Sequence, residues 1–275
     1  MVDMALLSVD EFTALAVDRP VLLDVRWSLA NGSERSRYEA GHLAGAVFLD
    51  FDAEVCGPAG ENGRHPLPAA SDLQAALRRV GVDEDSVIVV YDGGDLMAAS
   101  RTWWTLRWAG LTRVHVLDGG YPAAEAAGLA TDRDEPTVAT GTVTVQPGRL
   151  PVVDAGEAAS IARRGGLFDV RTAARFRGDA GVIDPVAGHV PGAASLPGER
   201  VLTDAANRMR PVGELTTLFE GIDTADSAVY CGSGVTAART ALAMTLAGLA
   251  TPAIYIGSWS HWISDPDRPV ATGDA

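Results

Sequence analysis

The hydrophobic positions of this 275-residue chain fall into short β-branched runs separated by stretches with helical spacing. Val21–Val25, Val87–Tyr91 and Val114–Leu117 are apolar throughout or nearly so, and each is bounded by turn-forming residues, as expected of strands buried on both faces. Ala70–Val80 and Ala98–Ala109 carry apolar residues at helical spacing. The pattern then returns: Leu167–Val170, Ala228–Tyr230 and Ala253–Ile256 predict strands, and Val212–Phe219 and Thr236–Ala247 predict helices. Buried strands alternating with helices imply an α/β fold with a parallel sheet flanked by helices on both faces.

The recurrence extends to residue identity. Leu23-Asp24-Val25-Arg26 reappears as Phe168-Asp169-Val170-Arg171, and Gly41-His42-Leu43-Ala44-Gly45-Ala46 as Gly188-His189-Val190-Pro191-Gly192-Ala193. Val90-Tyr91-Asp92-Gly93 is answered by Val229-Tyr230-Cys231-Gly232, Ser100-Arg101-Thr102 by Ala238-Arg239-Thr240, and Ala109-Gly110-Leu111 by Ala247-Gly248-Leu249. The shifts stay between 138 and 147 residues and keep their order, so the chain reads as two tandem copies of one domain. The period is too long for a solenoid, and each copy is expected to have its own core. We place the first copy at 1–134 and the second at 151–275. The linker lies at 135–150, inside a polar, Pro- and Gly-containing stretch from Thr131 to Pro151 in which Thr142 to Val145 could be extended.

Composition narrows the function. With 22 Lys and Arg against 36 Asp and Glu the formal net charge is −14, which disfavours nucleic acid and anionic membrane as partners. No apolar stretch is long enough to span a bilayer, and the first residues carry no basic segment ahead of an apolar one. Two cysteines in a chain of this length cannot form a disulfide framework, so the expected setting is reducing and cytoplasmic.

The candidate chemistry lies in the second copy. Cys231 follows the strand Ala228–Tyr230 directly and is succeeded by Gly232-Ser233-Gly234-Val235-Thr236 and then a helix. Ligands of such sheets sit beyond the carboxyl ends of the strands. A strand–loop–helix with two glycines turns backbone N–H groups inward beside the positive end of a helix dipole, which stabilises a thiolate. A free cysteine is as often a small buried apolar residue. The repeat favours the anion cradle, because the first copy has Asp92 where the second has Cys231.

The ordered set of motifs resembles the two-domain sulfurtransferases of the rhodanese family. To those already quoted it adds Leu117-Asp118-Gly119-Gly120, Arg175-Phe176-Arg177-Gly178 and Gly257-Ser258-Trp259. The resemblance implies two rhodanese-like domains, the second catalytic and the first a degenerate partner. It implies that the Cys231 thiolate takes a sulfane sulfur from a small-molecule donor as a persulfide and passes it to a nucleophilic acceptor, with no metal or organic cofactor. Cyanide, a small thiol, thioredoxin or a protein carrier are all open as acceptors. The residues from Gly232 to Thr236, Val235 included, would hold the charged sulfur. The family's thiosulfate-type loops place Arg and Lys after the cysteine. The uncharged Gly232-Ser233 pair instead resembles the mercaptopyruvate sulfurtransferases, in which a serine like Ser233 couples to an Asp and a His. The matching residues are Asp52 and His65, both in the first copy, so the site is expected at the domain interface. The family binds the donor's carboxylate with an Arg matching Arg175 and a second Arg further along. The segment from Gly178 to Gly188 holds no Arg or Lys, and Arg64, Arg171 and Arg177 are the candidates to compensate.

Other residues read as structural. Arg26 and Arg171, each after Asp-Val, are expected in ion pairs, and His42 and His189 are expected to hydrogen-bond their Gly-His turns. Trp103, Trp104 and Trp108 fit a core or interface, while Trp259 and Trp262 could wall the site. Cys56, in a polar stretch from Asp52 to Arg64, is expected as a surface or loop thiol. A Cys-dependent phosphatase would need an Arg six residues after the cysteine, where this chain has Ala237. A thiosulfate:cyanide sulfurtransferase with thiosulfate as main donor and a non-catalytic persulfide carrier are the remaining rivals.

Overall fold

A computed structural model describes residues 4–15, 19–179, 184–203 and 207–274. They form two compact units: one drawn from 1–57, 67–149 and 203–209, the other from 58–66, 150–202 and 210–275.

The first unit is built on a five-stranded sheet. Its strands are β1 (Leu6–Leu7), β2 (Val21–Asp24), β3 (Val47–Phe48), β4 (Ile88–Tyr91) and β5 (Val114–Leu117), in the order β1-β5-β4-β2-β3. Every pairing is parallel. The central β4 is Ile-Val-Val-Tyr with all four residues buried, so apolar continuity rather than alternation marks it. Helix Met97–Trp108 follows it, and its buried residues include Trp103 and Trp104, while Trp108 is only partly buried.

The second unit repeats the plan with β6 (Leu167–Asp169), β7 (Ala194–Ser195), β8 (Ala228–Tyr230) and β9 (Ala253–Ile254), in the order β7-β6-β8-β9, again all parallel. The counterpart of β1 is reduced to a single parallel bridge between Val152 and Ile254. Helix Val235–Leu246 follows β8 and is buried along most of its length. Trp259 and Trp262 belong to this unit's apolar core, together with Phe176, Tyr230 and Tyr255.

Two segments depart from a simple division at the linker. Residues 139–149 pack on the first unit rather than hanging free. Val143 is buried, Gly141 N–H donates to the Arg78 carbonyl, Val143 N–H to Val82, and Gln146 N–H to Ala109. Thr203, Asn207, Arg208 and Met209 also group with the first unit, where Met209 N–H donates to the Asp118 carboxylate. The expected ion pairs form and are buried: Arg26 with Asp24 at 2.7 Å and Arg171 with Asp169 at 2.6 Å. His42 and His189 contact the carbonyls of Tyr38 (2.9 Å) and Phe176 (2.8 Å) through Nδ1 and stack on those rings, a structural role in both copies.

Cys56 corrects its expectation. It is buried rather than superficial, because the turn of π-helix Phe51–Val55 ahead of it sends Phe51 and Val55 into the core with it. Burial pushes its thiol up to about 11, against a smaller opposing effect of Arg101, so it is poorly suited to react as a thiolate.

Candidate active site

Strand β8 carries Ala-Val-Tyr, fully buried, to the edge of the sheet and delivers Cys231 at its carboxyl end. Cys231 is itself buried, at 2% exposure. Gly234, at φ +81°, takes the left-handed conformation that reverses the chain into helix Val235–Leu246. That turn brings the Gly234 N–H onto Cys231 Sγ at 3.1 Å, the cradle contact expected from the loop sequence. Val235 is buried and Thr236 half-buried in the first helical turn, where the helix dipole is positive.

A second turn locks the loop from the other side. Cys231 N–H donates to Ser258 Oγ (3.2 Å), whose own hydroxyl donates to the Tyr255 carbonyl (2.8 Å). Trp259 N–H donates to the Cys231 carbonyl and Ser260 N–H to that of Gly232. Ser258 sits at φ +53°, a region costly for a residue with a side chain, and its two hydrogen bonds offset that strain. In the first unit the equivalent position is Gly120, at φ +55°. Ser258 is thus a supporting residue that the sequence showed only as part of a motif.

Ser233, two residues after Cys231 in the same loop, is buried, and its Oγ is 2.8 Å from His65 Nδ1. His65, although encoded in the first copy, packs within the second unit as part of segment 58–66. Arg64 precedes it and is fixed by its N–H donating to Ser260 Oγ at 3.0 Å. Asp52 lies in the first unit, where Trp27 Nε1–H and the Ser33 N–H donate to its two carboxylate oxygens, each at 2.9 Å. The resemblance pairs it with Ser233 and His65.

Two guanidinium groups stand over Gly232. A Cβ at that position would fall 2.8 Å from Arg64 Nη2 and 2.9 Å from Arg175 Nη2, so a side chain there would have to displace the ends of both arginines. Both arginines are held by Asp184. Arg64 Nη1 donates to Oδ1 at 3.2 Å, while Arg175 donates to Oδ2 from Nε at 3.1 Å and from Nη2. Arg171 reaches the same carboxylate at 3.5 Å while keeping its pair with Asp169. Of the three arginines that could compensate for the missing one, Arg64 stands at the cysteine loop. Arg177 turns instead to Asp179 and Asp274. Arg239, the nearest arginine after the cysteine, donates to the Gly198 carbonyl and is nearly buried.

The first unit has the same loop, one residue longer, with Asp92 in place of the thiol. Its carboxylate accepts from the N–H groups of Gly94 (2.9 Å), Leu96 (3.3 Å) and Ala99 (3.0 Å). The cradle is filled by its own side chain. Burial, and secondarily the charge of Asp95, push Asp92 up to about 7 in spite of those donors.

A strand, an anion-holding loop and a helix, repeated with the nucleophile in one copy only, define a class of sulfur-handling α/β domain, and the Rhodanese-like domain family matches residues 8–127 and 154–265. The chain belongs to the rhodanese family and is a sulfurtransferase. It is 40% identical over 267 residues to a Pseudomonas aeruginosa protein, "Probable 3-mercaptopyruvate sulfurtransferase", covering 92% of this chain and 93% of that one. It is equally 40% identical over 271 residues to the Mycobacterium tuberculosis "Putative thiosulfate sulfurtransferase SseB", covering 94% and 93%. Among solved structures it is similar to the 3-mercaptopyruvate sulfurtransferase of Leishmania major, with a TM-score of 0.85 at 27% identity over 98% of this chain and 76% of that one. Escherichia coli SseA gives a TM-score of 0.79 at 28% identity, covering 94% and 99%.

Proposed function

We propose that the chain moves sulfane sulfur from 3-mercaptopyruvate, in preference to thiosulfate, through a persulfide on Cys231. The Cys231 thiolate attacks the donor's sulfur, and the donor's carbon–sulfur bond breaks with its electron pair passing to carbon. The resulting enolate takes up the proton of the transferred thiol and leaves as pyruvate. A cyanide or thiol acceptor then attacks the outer sulfur of the persulfide and regenerates the thiolate. Splitting the transfer in two replaces one difficult step with two easier ones.

The observation that carries the donor choice is the 2.8 Å contact between Ser233 Oγ, in the loop that follows Cys231, and His65 Nδ1. Mercaptopyruvate leaves as a carbanion equivalent and needs the proton of the transferred thiol carried to its carbon, a relay that a hydroxyl coupled to an imidazole provides. Thiosulfate leaves as sulfite and needs none. The Arg64 and Arg175 guanidinium groups over Gly232 suit the donor's carboxylate, since planar forks bind both oxygens. The 3-mercaptopyruvate sulfurtransferase names printed for the P. aeruginosa and E. coli relatives support this reading, and the SseB relative, as similar as the P. aeruginosa one, marks thiosulfate as the alternative donor. Side-by-side kinetics with one acceptor test it. Mercaptopyruvate should exceed thiosulfate in kcat/KM by at least about tenfold, a difference of ~1.4 kcal/mol, and a preference for thiosulfate would overturn the reading.

A further inference from the structure

We infer that Asp184 is a built-in counter-ion that sets the charge of the donor this site accepts, an inference that rests on the donor reading above. The carboxylate is nearly buried, at 6% exposure, and holds both guanidinium groups that stand over Gly232. Its contacts use Arg64 Nη1 and Arg175 Nε and Nη2. Arg64 Nη2 and Arg175 Nη2 are the atoms closest to the Gly232 position, and Arg175 Nη1 is also within 3.7 Å of it. Asp184 therefore holds Arg64 by Nη1 with its Nη2 toward the cysteine loop, while Arg175 meets Asp184 through Nε and Nη2 and has that same Nη2, and Nη1 behind it, toward Gly232. Arg64 Nε adds a signature of its own: it is buried and has no hydrogen-bond partner among the described residues. A buried N–H without an acceptor is costly, and an oxygen of a bound donor would satisfy it.

The charges then decide. Arg64, Arg171 and Arg175 bring three positive charges, and Asp169 and Asp184 bring two negative ones, so the cluster keeps one net positive charge. A single positive charge complements a monocarboxylate donor. A dianion such as thiosulfate would bring a second negative charge close to Asp184 with nothing to offset it, in a setting screened less than bulk water. Asp184 thus performs two tasks: it orients two long side chains before the donor arrives, and it penalises the more highly charged donor.

The test is the ratio of kcat/KM for thiosulfate to that for mercaptopyruvate, a quantity that a general loss of folded or active enzyme does not move. Asp184→Asn keeps the shape and removes the charge, and should raise the ratio by about tenfold, equivalent to ~1.4 kcal/mol. Asp184→Glu should restore it toward the wild-type value. Arg64→Gln removes a positive charge from the same cluster and should move the ratio the opposite way, whatever it does to overall activity. This keeps the inference falsifiable if Asp184→Asn fails to fold. A wild-type enzyme that turns over mercaptopyruvate but whose ratio stays put in the Asp184 and Arg64 variants contradicts the inference alone. A wild-type preference for thiosulfate contradicts the donor reading itself.

Discussion

At the scale of single residues, the site divides into side chains fixed by local sequence and side chains brought together by folding. Cys231, Ser233 and Gly234 were legible because the loop that presents them is continuous: strand, Gly-Ser-Gly, helix. Arg64 and Asp184 were not, because their pairing spans 120 residues and no local pattern announces it. The sequence showed that a second arginine was missing after Arg175 and offered three substitutes. Of these, Arg64 is the one whose guanidinium stands over Gly232. Cys56 was misjudged for a related reason: its polar neighbours describe the chain around it, not the direction in which the turn at Phe51–Val55 aims it. Arg175→Ala should lower kcat/KM for mercaptopyruvate by one to two decades, on the order of 1–3 kcal/mol for a charged hydrogen bond. The loss should fall mainly on KM if the contact is to the carboxylate of the bound donor; unchanged kinetics would remove Arg175 from the site.

At the scale of elements, the buried parallel strands and the long helices stood out because their apolar runs are uninterrupted. The prediction for Thr236–Ala247 lies one residue from the observed Val235–Leu246, and that for Ala98–Ala109 one residue from Met97–Trp108. The two-residue strands Leu6–Leu7, Val47–Phe48 and Ala194–Ser195 are too short to carry a period, and pairing with their neighbours is what makes them strands. The pair of strand–loop–helix units shows what each copy places at the end of the central strand. In one loop an N–H group meets a sulfur; in the other, three N–H groups close on the Asp92 carboxylate. Because burial raises Asp92 from 3.8 to about 7, the folded state holds a proton over a range in which the unfolded chain has released it. Its stabilising contribution is complete below about pH 4 and disappears as pH rises through 7. Thermal unfolding measured between pH 4 and 7 should therefore show a steeper loss of Tm with rising pH in the wild type than in Asp92→Asn. Parallel profiles would mean that Asp92 titrates as an ordinary carboxylate.

At the scale of the whole molecule, duplication explains the length, the repeated turns and the single reactive thiol. It also explains why the first copy keeps its Asp-Val-Arg and Gly-His turns although it carries no nucleophile. Those residues hold the fold, through the Arg26–Asp24 pair and the His42–Tyr38 stack, and they are needed in both copies alike. The boundary between copies was less legible. A stretch that reads as linker by composition is tied to the first unit through Gly141, Val143 and Gln146, and segment 58–66, encoded in the first copy, packs with the second. Such exchanges depend on long-range packing that composition does not record. The net charge of −14 sits beside a function that binds an anion, and the structure reconciles them locally: arginines gather at the Cys231 loop and are partly neutralised there by Asp184.

Of the two cysteines, Cys231 is expected to carry the transferred sulfur. Incubating the wild-type protein with mercaptopyruvate, without acceptor, and measuring its intact mass should show the gain of one sulfur atom, lost again when cyanide is added. Cys231→Ser should gain none and Cys56→Ser should gain it fully. A Cys231→Ser protein that still takes up the sulfur would show that Cys231 is not the carrier.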